Sequence, residues 1–353
     1  MARSLADAMT GDGTARPIDR GYSMPPEWHR HRRTWMAFPS ASYAVEGETD
    51  VFGAWSAVAN TIARYEPVVM VVDPAFVGEA SARLAPTIEI APIPLDDAWM
   101  RDIGPTFLLD PNGRLGAVDW VFNGWGQQEW ARWEHDADVA PAVIARAGAL
   151  GFGSPLVNEG GAIHVDGDGT VLLTESVQLD PDRNPGWSKG DVEAELRATL
   201  GIEHAVWLER GLTTDHDLYG TRGHIDTLAA FVRPGLIVAH DQPDPAHPDH
   251  EIAAANLDRL RRATDAHGRP FTVVTLDAPG VREVDGRLVD YTYVNYYVGN
   301  GFVLLCGFGD PQDRAMVELF ARLFPDRVIE MCDATSLFAW GGGIHCITQQ
   351  EPE

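Results

Sequence analysis

Short apolar runs rich in β-branched residues recur along this chain, and they limit its fold more than any single motif does. They occupy residues 67–72, 87–91, 170–174, 205–208, 236–239, 272–276, 301–306 and 327–332, and they read as buried strands. Helical patterns lie between them, over residues 51–65, 189–200 and 250–266. A further helix is expected from Asp310 as N-cap and Pro311 as first residue, with Met316, Leu319, Phe320 and Leu323 on one face and Pro325 closing it. Strands and helices alternate without a low-complexity linker, which predicts one α/β domain over residues 21–353 behind a loosely ordered polar tail, residues 1–20. A faint internal echo, Gly160-Gly161-Ala162-Ile163-His164 against Gly342-Gly343-Ile344-His345, is either chance or a trace of repeated units.

Composition excludes several classes of function. Asp and Glu outnumber Lys and Arg 52 to 27, a net charge of −25. No basic face is available to neutralise phosphates, so nucleic acid is excluded as a partner, and small cations are favoured. The three cysteines, Cys306, Cys332 and Cys346, form neither a disulfide framework nor a CxxC zinc pair. Reduced thiols in a cytoplasmic protein are expected, with Cys306 and Cys332 as core residues. No signal peptide or membrane span is legible, so no membrane partner is expected. His29, His31, His240, His247 and His250 are expected on a solvated surface rather than around a metal.

Four segments carry chemistry-bearing residues. Asp96-Asp97-Ala98-Trp99-Met100-Arg101-Asp102 packs carboxylates beside an aromatic ring. That suits a planar cation, which can take bidentate hydrogen bonds and stack on the ring; an ordinary acidic loop is the alternative. In Asn158-Glu159-Gly160-Gly161 the glutamate adjoins two glycines that permit close approach. In Thr221-Arg222-Gly223-His224-Ile225-Asp226, beside a strand expected over 227–232, His224 and Asp226 would share one face. Trp340-Gly341-Gly342-Gly343-Ile344-His345-Cys346 could present Cys346 as a nucleophile on a constrained turn, or bury it on a strand. Together they fit nucleophilic substitution at a carbon that carries positive charge. The segment 166–169, Asp-Gly-Asp-Gly, reads as a plain hairpin turn.

These segments resemble those of the agmatine deiminases and Porphyromonas-type peptidyl-arginine deiminases, within the guanidine-modifying (pentein) superfamily. The likeness runs from Met24-Pro25-Pro26-Glu27-Trp28 through Phe122-Asn123-Gly124-Trp125-Gly126 to Cys346-Ile347-Thr348-Gln349-Gln350. It implies a five-bladed, pseudo-fivefold α/β propeller. It also implies Cys346 as nucleophile, His224 as general acid and base, Asp102 and Asp226 gripping a guanidinium, and Glu159 supporting His224. Asp97, Trp99, Trp125, Arg222 and Gly343 are expected around the substrate. The resemblance implies no metal and no cofactor, a small cationic guanidino substrate, and a homo-oligomer only by analogy. The implied reaction is hydrolysis of agmatine to N-carbamoylputrescine and ammonia.

One position departs from the expected pattern: Arg222 stands where an aspartate is expected in Thr-Asp-Gly-His. Facing the pocket, it would repel an ammonium tail and bind a carboxylate, favouring arginine, peptidyl-arginine or another guanidino acid. Paired with Asp215 or Asp217 outside the pocket, it leaves agmatine open. Amidino transfer to an amine and a non-catalytic guanidine-binding protein are the further alternatives.

Overall fold

The structure, a computed structural model, describes residues 15–40, 50–217, 219–280, 283–284 and 286–353. One unit recurs five times: an antiparallel strand pair, then a helix, then a third strand parallel to the second. A parallel pair cannot be joined by a tight turn, so each needs a helical crossover. The first unit is Thr106–Leu109, Leu115–Val121, helix Val139–Ala147 and Leu150–Val157. The second is His164–Val165, Thr170–Thr174, helix Lys189–Leu200 and His204–Leu208. The third is Ala229–Arg233, Leu236–Asp241, helix His250–Arg262 and Thr272–Asp277. The fourth is Tyr297–Gly299, Phe302–Gly307, helix Asp313–Leu323 and Val328–Asp333. The fifth is assembled from both ends of the chain. Thr348–Pro352 pairs antiparallel with His31–Ala37, which after helix Val51–Ile62 pairs in parallel with Val68–Val72, and Glu89–Pro92 adds a further parallel strand.

The five units close on one another, giving the five-bladed α/β propeller. Two interior strands, Val68–Val72 and Phe302–Gly307, are continuous apolar runs in which every residue is buried, as expected of strands covered on both faces. The chain crosses from each blade to the next near the molecular centre. Hydrogen bonds link these crossings in chain order. Gly161 N–H donates to Asp102, His224 meets Glu159, Asn295 Nδ2 donates to the Asp226 carbonyl, and His345 N–H donates to the Asn295 carbonyl. Arg101 N–H, donating to the Cys346 carbonyl, completes the ring.

Several sequence expectations shift. The helix expected from Asp310 begins at Asp313, because the Asp310 carboxylate takes the Gln312 amide in a turn instead of capping a helix. Met316 and Phe320 are buried as read. Residues 1–14 lie outside the described residues, but the stretch assigned to the tail includes an ordered 3-10 turn, Pro17–Arg20. The strand expected over 227–232 is Ala229–Arg233, so His224 and Asp226 are not on it: His224 caps the 3-10 turn Ile225–Thr227. Two of the histidines expected at the surface are buried. His31 lies between Glu66 and the Glu27 carbonyl, and His240 lies against Thr292, because each belongs to a strand of a covered sheet. Segment 166–169 is a hairpin turn, with Gly167 and Gly169 at positive φ.

Candidate active site

Each blade crossing carries one or two polar side chains inward, and the five crossings build a single site. Asp102 comes from the short helix Met100–Ile103, and Glu159 precedes the 3-10 turn Gly160–Ala162. His224 and Asp226 flank Ile225, Asn295 precedes the strand Tyr297–Gly299, and Cys346 precedes Thr348–Pro352. Asp102, Glu159, His224, Asp226 and Cys346 are all at most 5 % exposed. Gly161 makes their convergence possible. A Cβ there would lie 2.6 Å from His224 Nδ1, 3.0 Å from Asp102 Oδ1 and 3.1 Å from Asp226 Oδ2.

Asp102 is fixed at both oxygens: Gly161 N–H donates to Oδ1 at 3.1 Å and Trp125 Nε1–H to Oδ2 at 2.9 Å. Trp125 reaches it from a left-handed backbone (φ 54°), an uncommon conformation that aims the indole at the carboxylate. His224 Nδ1 lies 3.8 Å from Asp102 Oδ1, and its Nε2 lies 3.3 Å from Glu159 Oε2. Arg183 Nε donates to both Glu159 oxygens, at 3.0 and 3.1 Å. Cys346 Sγ lies 3.4 Å from Asp226 Oδ2 and 3.2 Å from Asn295 Nδ2. His345 spans two carboxylates, with Nδ1 2.8 Å from Asp226 and Nε2 2.8 Å from Glu27. Arg101 Nη1 joins Glu27 at 3.3 Å.

Charge states follow from these contacts. Burial alone would strip His224 of its proton, but Asp102 and Glu159 outweigh it and raise the imidazole to about 9. Burial would likewise raise Glu159, yet Arg183 and His224 hold it at about 2. Asp102 is pushed up to about 6 by burial, with Asp226 and Glu159 adding to the rise against the His224 charge. Asp226 stays below the usual carboxylate range: burial opposes this, but His345 beside it prevails. Burial, then the Asp226 and Asp102 charges, pushes the Cys346 thiol well above its ordinary range. Cys346 therefore rests as a thiol.

Three buried polar atoms of these residues have no hydrogen-bond partner: His224 Nδ1, Asp226 Oδ1 and Arg101 Nη2. A buried polar atom of this kind is costly unless something completes it. The N–H groups of a planar cation placed among Asp102, Asp226 and Cys346 would complete the Asp226 Oδ1 acceptor, while the imidazolium His224 Nδ1–H remains a donor turned toward the same space.

The remaining expected residues divide. Trp99 and the Cys346 sulfur both crowd Gly342, where a Cβ would come within 2.7 and 3.0 Å of them. The Gly343 backbone hydrogen-bonds the Cys346 sulfur. Asp97 is half-buried and set against another carboxylate: its amide donates to Asp136 Oδ1 and its own Oδ1 takes the Ala98 amide. Arg222 pairs with neither Asp215 nor Asp217. Its Nη1 lies 2.7 Å from Asp180 and 2.9 Å from Asp182. Asp215 is instead committed to the Thr221 amide and hydroxyl.

Glu27, Arg101, Arg183, Asn295 and His345 were not singled out from the sequence. Asn295 had a legible signal, since five repeated units imply a fifth inward residue. Arg183 had none, because Asp180-Pro181-Asp182-Arg183 reads as an ordinary turn. The Gly-x-Ile-His echo proves structural: the His164 and His345 rings stack 6.3 Å apart, and both face Glu27. Glu27, His164 and His345 are close enough to hold a metal ion, but the Arg101 guanidinium already supplies positive charge to Glu27.

The model of the Porphyromonas-type peptidyl-arginine deiminase family matches residues 23–352. A Streptomyces avermitilis protein, provisionally named an agmatine deiminase, is 55 % identical over 342 residues, covering 96 % of this chain and 99 % of its own. An agmatine deiminase of Stutzerimonas stutzeri is 36 % identical over 368 residues, covering 96 % and 98 %. Among solved structures, an Enterococcus faecalis agmatine deiminase superposes with a TM-score of 0.91 at 32 % identity, covering 96 % of this chain and 98 % of the other.

Proposed function

Since this chain belongs to the Porphyromonas-type peptidyl-arginine deiminase family, we propose that it hydrolyses agmatine to N-carbamoylputrescine and ammonia through a covalent intermediate on Cys346, with residues 21–353 acting as one catalytic domain. The observation that carries this reading is the placement of Cys346 Sγ beside Asp226, with Asp226 Oδ1 and His224 Nδ1 buried and unpartnered. The relatives named as agmatine deiminases supply the substrate.

Buried charge explains why the substrate activates its own attacker. Around the site, Glu27, Asp102, Glu159 and Asp226 are met by Arg101, Arg183, His224 and His345. A guanidinium brings one further positive charge, which a Cys346 thiolate balances as the thiol proton leaves to water. Asp102 and Asp226 hold the guanidinium nitrogens and turn its carbon toward sulfur. The thiolate adds to that carbon. Imidazolium His224 gives its proton to one nitrogen, and ammonia departs, leaving an amidino-thioether. Neutral His224 then takes a proton from water, whose oxygen adds to the same carbon. Collapse expels the thiolate and releases the ureido product, the surplus proton leaving with ammonia as ammonium. Asp97 and the rings of Trp99 and Trp125 serve as the wall around the substrate.

Arg222 decides between substrates. Asp180 and Asp182 neutralise its guanidinium, which leaves it poorly suited to hold a substrate carboxylate, so agmatine is favoured over arginine and peptidyl-arginine. The proposed reaction would serve putrescine formation, and the cytoplasm is its proposed compartment. Among the described residues no helix is long and apolar enough to cross a membrane. Ammonia release and product mass, with agmatine, arginine and a blocked arginyl peptide offered in parallel, test the assignment. Agmatine turnover is expected to dominate. Preference for a carboxylate-bearing substrate would overturn it.

A further inference from the structure

The fifth crossing brings Asn295 to the nucleophile, and its amide has a defined orientation. Asn295 Oδ1 accepts from His345 N–H at 3.0 Å and from Cys346 N–H at 3.4 Å, so the oxygen faces the backbone of the nucleophile turn. Nδ2 therefore points the other way. One of its hydrogens goes to the Asp226 carbonyl at 3.2 Å, and the other is aimed at Cys346 Sγ at 3.2 Å. Oδ1 is 3.5 Å from the same sulfur but is already committed to the two amides. The Asn295 carbonyl is held in turn by the Cys306 thiol at 3.0 Å and by His345 N–H. The side chain is fully buried, and Gly343 makes room for Oδ1, since a Cβ there would lie 2.5 Å from it.

We propose that Asn295 is a catalytic residue: its Nδ2–H donates to the Cys346 sulfur and stabilises it as the thiolate, both before attack and when sulfur departs from the second tetrahedral adduct. The charged groups nearest that sulfur, Asp226 and Asp102, are anions that oppose the thiolate. Asn295 Nδ2 and the Gly343 backbone supply the opposing donors. A neutral amide does this without adding a cation that would repel the guanidinium. A hydrogen bond to a charged acceptor is roughly twice as strong as one to a neutral acceptor, so the donor favours thiolate over thiol. The step moves no proton through Asn295.

This inference rests on Cys346 as the nucleophile, and the test separates the two. The wild type, Cys346→Ala, Asn295→Ala and Asn295→Asp are compared for kcat, KM and the pH dependence of Cys346 alkylation by iodoacetamide. Asn295→Asp keeps an acceptor for the two backbone amides, so the turn survives if Asn295→Ala fails to fold. In each folded variant kcat is expected to fall about 10- to 100-fold with a smaller change in KM, and Cys346 alkylation should need a higher pH. Variants with kcat and the alkylation profile within about twofold of wild type would overturn the inference. So would a loss confined to KM and thermal midpoint with the profile unmoved. A wild type that turns over no guanidine would instead overturn the functional reading beneath it.

Discussion

Asp102 and Glu159 hold His224 as the imidazolium, while burial and the charges of Asp226 and Asp102 hold Cys346 as the thiol. On the proposed mechanism, the acid His224 is thus charged before substrate arrives and the nucleophile Cys346 is not. This gives a pH profile with two limbs. The His224 proton, raised to about 9, is present below that pH and lost above it. The Asp102 carboxylate, raised to about 6, is ionised above that pH and loses its grip on the cation below it. kcat/KM is therefore expected to be bell-shaped, falling below about pH 6 and above about pH 9, and initial rates across that range check it. Arg183 is the counter-ion that keeps Glu159 at about 2. Because that carboxylate is depressed, its stabilising contribution is present above the ordinary 4.5 and is lost as pH falls toward 2. Arg183→Leu strands a buried carboxylate and should cost about 3–5 kcal/mol in urea unfolding near neutral pH. At this scale the sequence was most legible where chemistry and local spacing coincided. Cys346, His224, Asp226, Glu159 and Asp102 each stood in a glycine- or aspartate-rich segment, whereas Arg183 reaches the site only through tertiary packing and looked like a turn residue.

At the scale of the element, the blade crossings do the positioning, and their glycines set how closely they meet. Gly161 is the tightest case. Gly161→Ala would drive a methyl into His224, Asp102 and Asp226 at once, displacing the acid and both guanidinium grips. A misplacement of this size is expected to lower kcat/KM by about 100-fold or more, while circular dichroism stays native because the turn's backbone is ordinary. The apolar runs were readable as strands, although the outer strands Thr272–Asp277 and Val328–Asp333 are only partly buried. The crossings were not readable as a ring. His224 and Asp226 look like alternate residues of a strand, but in the structure His224 precedes a single turn of 3-10 helix and Asp226 lies within it. The Asp310-Pro311 signal carried the chemistry of a helix start, and the local Asx turn took it instead.

For the whole molecule, the fifth blade is closed by the last strand. Thr348–Pro352 pairs with His31–Ala37, and Glu351, buried, accepts from Trp35 Nε1 at 2.8 Å. Cys346 therefore sits two residues from the strand that seals the propeller, so the proposed nucleophile and the closure share the same few residues. Deleting residues 348–353 would expose the edge of His31–Ala37 and release the Cys346 turn. The truncated chain is expected to show no cooperative thermal transition near that of the full chain by calorimetry. Five-fold repetition is hard to read in the sequence, since each blade keeps its hydrophobic pattern but not its residues. The closure of the ends was invisible, because nothing local marks residues 348–352 as the partner of 31–37.

The account turns on sulfur bonding covalently to the guanidino carbon. Acid quenching during turnover of agmatine, followed by mass spectrometry of the peptide containing Cys346, tests this most directly. The account predicts an adduct on Cys346 whose mass is that of agmatine less one ammonia, absent from Cys346→Ala. Steady ammonia release with no adduct at any quench time, and undiminished turnover by Cys346→Ala, would contradict it.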